Sequence, residues 1–351
     1  MKTTKLVIKL SLWVVLISCG SNKGKEVEHQ EIVNKKSKNS QLDTIHLALD
    51  WSPNVLHTGI FYADHEGLLE ENGIYLDWFT TEIDGYKKKP IQRLIDREVD
   101  LAIGPSEHLF FYGDTSSQEY AVALATILQK DQSAFVVKAE SGINSPKELD
   151  DQTYIGYKTP LEEEILTAMI KKDGGIGTYN SITPPRLTVW NSFLNDHGDA
   201  AWIFSHWEGA KAAAQGIELN YFYPHNFGVP YGYSSVIMAN KKRDTLQNDK
   251  ILRFLAALEV AHKKLMNQET DQVVEFLSNY SDHENFKDPK VVEFAWNDIK
   301  SAFLDSSGKW GRMEKKVWVN YYNWISKHEV PHFNPAIKDV SIYFESTLGV
   351  Q

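Results

Sequence analysis

The sequence predicts an α/β chain folded as two lobes, and three observations carry that prediction. Short β-rich runs alternate with amphipathic helical stretches from Asp43 onward. The 351 residues, 42% of them hydrophobic, suffice for two cores. Beyond Asp244 the pattern turns to long helices, which close the fold. In order, Thr44 to Leu49 reads as a strand, Val55 to Glu66 as a helix closed by Gly67, and Ile74 to Thr80 as a strand. A helix over Pro90 to Asp96 and a short strand from Asp100 to Ile103 follow. Ser145-Pro146-Lys147-Glu148 has the form of a capping box with proline at the first helical position, ahead of a strand over Thr153 to Tyr157 and a helix over Leu161 to Lys172. The helical section comprises Lys250 to Met266, Gln272 to Asn279, Pro289 to Ala302 and Met313 to Ser326.

Composition excludes several classes of function. With 37 basic against 47 acidic residues and no basic run, the chain offers no surface for tracking phosphates, so nucleic acid is not an expected partner. One cysteine rules out an intramolecular disulfide and a cysteine-built zinc site. That cysteine has a different context. Lys2, Lys5 and Lys9 precede an apolar stretch, Leu10 to Ile17, too short to span a bilayer but long enough for the core of an export signal. Leu16-Ile17-Ser18-Cys19 resembles a bacterial lipobox, which implies removal of residues 1–18, acylation of Cys19 and an anchor in a cell-envelope membrane. From Gly20 to Leu42 the chain is polar and reads as a tether.

Common catalytic signatures are missing. There is no GxxxxGK[ST] and no G-x-S-x-G; Gly174-Gly175-Ile176-Gly177 lacks the strand and third glycine of a dinucleotide site and reads as a loop, and Gly232-Tyr233-Ser234 reads as a passage from loop to strand. Asp196, His197, Asp199 and His206 lie close together, but their spacing matches no metal motif. Neither metal nor cofactor is expected. What does carry information is the placement of polar and aromatic residues just after strands, where open α/β sheets bind ligands. Leu49-Asp50-Trp51-Ser52-Pro53-Asn54-Val55-Leu56-His57-Thr58-Gly59 leaves a strand through a turn and enters a helix, so that Trp51, Asn54 and His57 can face one cleft. The structural alternative makes Trp51 a core residue and His57 a satisfied helical one.

That string resembles the opening of the periplasmic binding proteins for thiamine pyrimidine precursors, relatives of fungal hydroxymethylpyrimidine phosphate synthase. Four further segments are similar in the same order: Asp100 to Glu107 with Ser106; Ala125 to Ser133; Ile143 to Leu166 with Gly156-Tyr157 and Pro160 to Glu164; and Trp207-Glu208-Gly209 with Gly216 to Tyr221 and Phe227 to Pro230. The resemblance implies a periplasmic-binding-protein type II fold with two crossing segments. It places one lobe at Asp43 to Ser133 plus Val236 to Gln351 and the other at Ala134 to Ser235. It further implies a monomer that encloses a pyrimidine and works with an ABC permease and ATPase.

A flat aminopyrimidine calls for aromatic walls, for which Trp51, Tyr157 and Trp207 stand out, with Trp202 also open to reading as core. Its amine and ring nitrogens call for Glu107, Glu208 and Asn54. Glu162 to Glu164 are open to reading as a solvated first helical turn. Sulfonate, nitrate or phosphonate would prefer helix N-termini and basic groups, and in the matched pocket segments only Lys130 and Lys158 are basic. The fungal synthases carry a lysine and a histidine where this chain has Ser106 and Phe110; neither forms an imine nor supplies an imidazole, so an enzyme is disfavoured. A lipid-anchored sensor using the same cleft is a third class.

Overall fold

The computed structural model describes residues 42–112, 121–185, 188–241, 248–333 and 339–345. Two five-stranded mixed sheets organise them. The first comprises β1 Asp43–Ala48, β2 Ile74–Phe79, β3 Leu101–Gly104, β4 Ala121–Thr126 and β10 Val236–Asn240; the second comprises β5 Ser133–Lys138, β6 Thr153–Ile155, β7 Asn180–Ile182, β8 Ala200–Phe204 and β9 Leu219–Phe222. The strand orders are β2-β1-β3-β10-β4 and β7-β6-β8-β5-β9. Within the first sheet β1 runs parallel to β2 and β3, while β10 is antiparallel to both β3 and β4. In the second, β6 runs parallel to β7 and β8, and β5 is antiparallel to β8 and β9. The chain crosses between sheets twice, after β4 and after β9. The crossings lie side by side, with Ile127 N–H donating to the Ser235 carbonyl at 3.0 Å.

Strands β3, β4 and β10 are continuous buried runs rather than alternating ones, as in a sheet covered on both faces, whereas β2 begins with alternating buried and exposed positions. Ala121–Thr126 and Val236–Asn240 are buried at every position. Helix Asp249–Leu265 buries Ile251, Phe254, Leu255, Leu258, Ala261 and Leu265, one face of a 3.6-residue repeat. It lies against helix Thr58–His65, where Gly59 meets the His262 ring so closely that no Cβ fits. Helix Lys315–Lys327 presents Trp318, Tyr321, Tyr322 and Ile325 to a core that also holds residues of both sheets, among them Met238 and Phe135.

Local chemistry sets several boundaries. The stretch Val55 to Glu66 is not one helix: a 3-10 turn, Val55–His57, precedes the α-helix Thr58–His65, and Gly67 follows with φ +71°. Ser145 forms no cap. Its Oγ is buried without a hydrogen bond, the segment is the 3-10 turn Pro146–Leu149, and the Glu148 carboxylate instead accepts from Asn144 N–H at 2.7 Å. Helix Pro160–Lys172 does have the reciprocal cap, Thr159 accepting from Glu162 N–H at 3.2 Å, with proline at its first position. Strand β6 stops at Ile155 because the next residues turn toward that cap. The last helix starts at Lys315. Cys19, the export signal and all but the final residue of the tether lie outside the described residues.

Candidate ligand-binding cavity

The cavity forms where five strands end: β1, β2 and β3 of the first sheet, β6 and β8 of the second. After β1, the loop is closed by its own side chains. Asn54 caps the following turn, its Oδ1 accepting from Leu56 N–H at 2.8 Å while its Nδ2 donates to the Ser52 carbonyl at 3.0 Å. His57 Nδ1 accepts from Asn54 N–H at 3.2 Å, which leaves Nε2 to carry the proton toward Asp50 Oδ1 at 3.0 Å. Asp50 Oδ2 accepts from Ser235 Oγ at 2.7 Å, tying the loop to the second crossing. Burial alone would push Asp50 up; the hydrogen bonds from His57 and Ser235 outweigh it and hold the carboxyl below its ordinary value. The outcome is a rigid turn presenting Trp51, whose ring packs on Tyr86 at 4.8 Å between centroids.

Glu107 follows β3. Its Oε1 accepts from Tyr231 OH at 2.7 Å, its Oε2 is buried without a hydrogen bond, and burial pushes its pKa up to about 7. Across the cavity, beyond β6, Glu162 is buried rather than solvated. It accepts from Tyr154 OH, from Tyr157 N–H at 3.1 Å and from Thr159 N–H at 3.4 Å. Gly156 is required beside it, since a Cβ there would overlap Glu162 and Tyr154. After β8 the chain makes a single π-helical turn, Ser205–Gly209. This turn holds His206, Trp207 and Glu208 at the cavity. Glu208 Oε2 accepts from Phe204 N–H at 3.0 Å, and burial again pushes the carboxyl up to about 7. Lys211 Nζ stands 3.7 Å from the Trp207 ring centre.

The cavity holds about 280 Å³, close to the small end of typical ligand pockets, about 300 to 1,000 Å³. Of the residues singled out from sequence, Trp51, Asn54, Glu107, Tyr157, Trp207 and Glu208 line it. His57 and Ser106 do not. His57 is fully buried behind Asp50, and Ser106 is buried against Gly232, its N–H donating to the Tyr233 carbonyl at 2.9 Å. Trp202 lines the cavity as well as packing on Phe135. The basic groups there are Lys88 and Lys89, not Lys130 or Lys158, and Lys88 is already paired with Asp96 and Glu98. Phe110 points away, into a cluster with Trp318, Tyr322 and Tyr343.

Sequence reading missed the cavity roles of His206, Tyr231, Tyr86 and Asp50. For Asp50 the signal was available in its spacing to His57; the others are brought in by the two sheets meeting, which no local pattern encodes. The acidic and histidine residues near His206 separate: Asp196 pairs with Lys138 at 2.5 Å and Asp199 accepts from Thr153 N–H at 2.8 Å. Among the described residues no group of three or more His, Cys, Asp or Glu is placed to hold a metal ion.

A protein-family model described as NMT1/THI5 like matches residues 54–271. The formylaminopyrimidine-binding protein of Halalkalibacterium halodurans is 22% identical over 94% of this chain and 95% of its own. Among solved structures, the alkanesulfonate-binding protein SsuA from Xanthomonas axonopodis pv. citri, bound to MOPS, superposes with a TM-score of 0.64 at 12% identity over 88% of this chain and 99% of that one. The desulfurization enzyme DSZB superposes with a TM-score of 0.57 at 11% identity over 87% and 97%. These structural likenesses establish the expected two-lobed periplasmic-binding-protein fold; their differing titles show that the fold does not decide the chemistry.

Proposed function

The chain belongs to the NMT1/THI5-like family, and from that membership we propose that it is a substrate-binding protein that encloses a thiamine pyrimidine precursor, hydroxymethylpyrimidine or its formylamino relative, and hands it to an ATP-driven permease. The observation that carries this reading is an aromatic-walled cavity whose lining includes the carboxylates of Glu107, which is buried, and Glu208, which is half-buried. Trp51, Tyr157 and Trp207 offer faces for a flat heteroaromatic ring, and the carboxylates offer acceptors to its exocyclic amine. The formylaminopyrimidine-binding relative, similar over nearly its whole length, supports the same ligand class.

An anion would be served poorly. Just ahead of helix Pro160–Lys172, whose N-terminus lies at the cavity, the N–H groups of Tyr157 and Thr159 are already turned to the Glu162 carboxylate, so a sulfonate would compete with a resident carboxylate for them. Binding without bond chemistry fits Ser106 and Phe110, neither of which touches the cavity. We further propose that residues 43–133 with 236–351 and residues 134–235 move as two lobes about the paired crossings, closing over the ligand. In the same reading Cys19 carries the lipid that holds the monomer at the cell envelope.

The test is the thermal midpoint of the purified protein with hydroxymethylpyrimidine, its formylamino analogue, thiamine and taurine. A ligand at about a hundred times its Kd adds about 2.7 kcal/mol, a shift of several degrees. A rise with a pyrimidine is the expected result; a rise with taurine alone would transfer the protein to the sulfonate binders and refute the reading.

A further inference from the structure

His206 is one of the polar groups of the cavity that the fold leaves incompletely satisfied. It is 4% exposed, it lines the cavity from the π-helical turn, and its Nδ1 is buried without a hydrogen bond. A second histidine provides the contrast. His262 is equally buried and also has an unpartnered ring nitrogen, but its ring stacks on Trp310 at 4.5 Å with Gly59 pressed on its edge, deep in the first core. His262 serves packing. His206 lines space that a small molecule can enter.

Its chemistry differs from that of the carboxylates. Burial holds the imidazole neutral, with a pKa lowered to about 4, so one ring nitrogen donates and the other accepts. A carboxylate only accepts once ionised, and Glu107 and Glu208, both pushed up to about 7, reach that form at and above neutral pH. Glu107 and Glu208 therefore suit the amine of an aminopyrimidine, whereas an imidazole suits a group that both donates and accepts: a hydroxyl or a formamide. We propose that His206 is a specificity-determining residue of the cavity, bonding through its imidazole to the polar arm at carbon 5 of the pyrimidine and rejecting pyrimidines that carry a plain methyl there. The inference rests on the pyrimidine-binding reading above.

The experiment compares hydroxymethylpyrimidine with 4-amino-2,5-dimethylpyrimidine, which keeps the ring and amine and lacks the hydroxyl, by isothermal titration. The wild-type protein should prefer the hydroxymethyl compound by about 10-fold or more, the scale of a buried hydrogen bond. His206→Phe should reduce that preference below about 3-fold, with a ligand-free thermal midpoint close to that of wild type reporting that the fold is intact. His206→Gln, whose amide both donates and accepts, should retain more of the preference than His206→Phe. An undiminished preference in His206→Phe, or no difference between the Phe and Gln variants, would overturn the inference while leaving the pyrimidine reading intact. If the wild-type protein binds neither pyrimidine, the functional reading itself falls, and this inference with it.

Discussion

Replacing Glu208 by glutamine isolates what a buried acid does to the unliganded protein. The glutamine keeps the shape and an oxygen for Phe204 N–H but removes the ionisation. Glu208 has its carboxyl pushed from an ordinary 4.5 to about 7, chiefly by burial, with the Phe204 N–H, its own N–H and Lys211 acting in the opposite direction. The folded state therefore holds this proton more tightly than the unfolded chain does. Stability from this group is highest below pH 4.5 and falls as the pH rises through about 7, above which the full cost of burying the charge is present. The interval from 4.5 to about 7 is worth about 3 kcal/mol at about 1.36 kcal/mol per pH unit. At pH 8, Glu208→Gln should be more stable than wild type by about that amount, on the order of 5 °C in Tm for a chain of this size; at pH 5 the gain should fall below about 1 kcal/mol. Comparing variant with wild type at each pH cancels the opposite contribution of His206 and His262, whose lowered values favour the folded state as the pH rises from about 4 toward 6.5. Ligand-free thermal melts in matched buffers read this directly. An equal gain at both pH values, or none at pH 8, would show that the carboxyl is ionised at little cost and refute the reasoning.

Further predictions concern the frame around the cavity. His57→Ala should cost about 2 kcal/mol in urea titration because it removes a partner of buried Asp50, and it should weaken pyrimidine binding although His57 does not line the cavity. Since Asp50 is held below its ordinary 3.8, the contribution that His57 makes through it is fully present above that pH and fades as the pH falls through the lower folded value. Gly156→Ala, which forces a methyl group into Glu162 and Tyr154, should lower stability by about 1 to 3 kcal/mol, checked by chemical denaturation. Trp207→Ala should raise the Kd for pyrimidines by at least about 10-fold while leaving the circular dichroism spectrum unchanged.

The strands and helices were legible because they obey local rules. Prolines at the first positions of helices Pro90–Ile95, Pro160–Lys172 and Pro289–Ile299, and the apolar runs of β3 and β10, announce themselves in any window of ten residues. Ser145 shows the limit of such rules, since a hydroxyl at the right spacing still lost its role to Asn144 and Glu148. At the cavity, residues that follow strands were legible as candidates, but their orientation was not. Ser106 and Glu107 are neighbours in sequence, yet one faces Gly232 and the other the ligand space. His57 was placed on the correct segment and facing the wrong way, because its partner Asp50 is what touches the cavity. Lys88 and Lys89 arrive from outside every matched pocket segment.

One feature of the first sheet bears on how the protein comes to be folded. Strand β10, Val236–Asn240, lies between β3 and β4, flanked on both sides by strands made more than a hundred residues earlier. Until that strand arrives, β3 and β4 have no common neighbour, and the chain up to Ser235 cannot complete even its first sheet. Ribosomal synthesis alone thus leaves the N-terminal part open, with two unfilled strand edges, for the time taken to make the whole second sheet. Long-range pairing of this kind delays folding. If the chain is exported, as the lipoprotein reading proposes, such a delay would keep the polypeptide translocation-competent, at a cost in exposure to aggregation and proteolysis along the way.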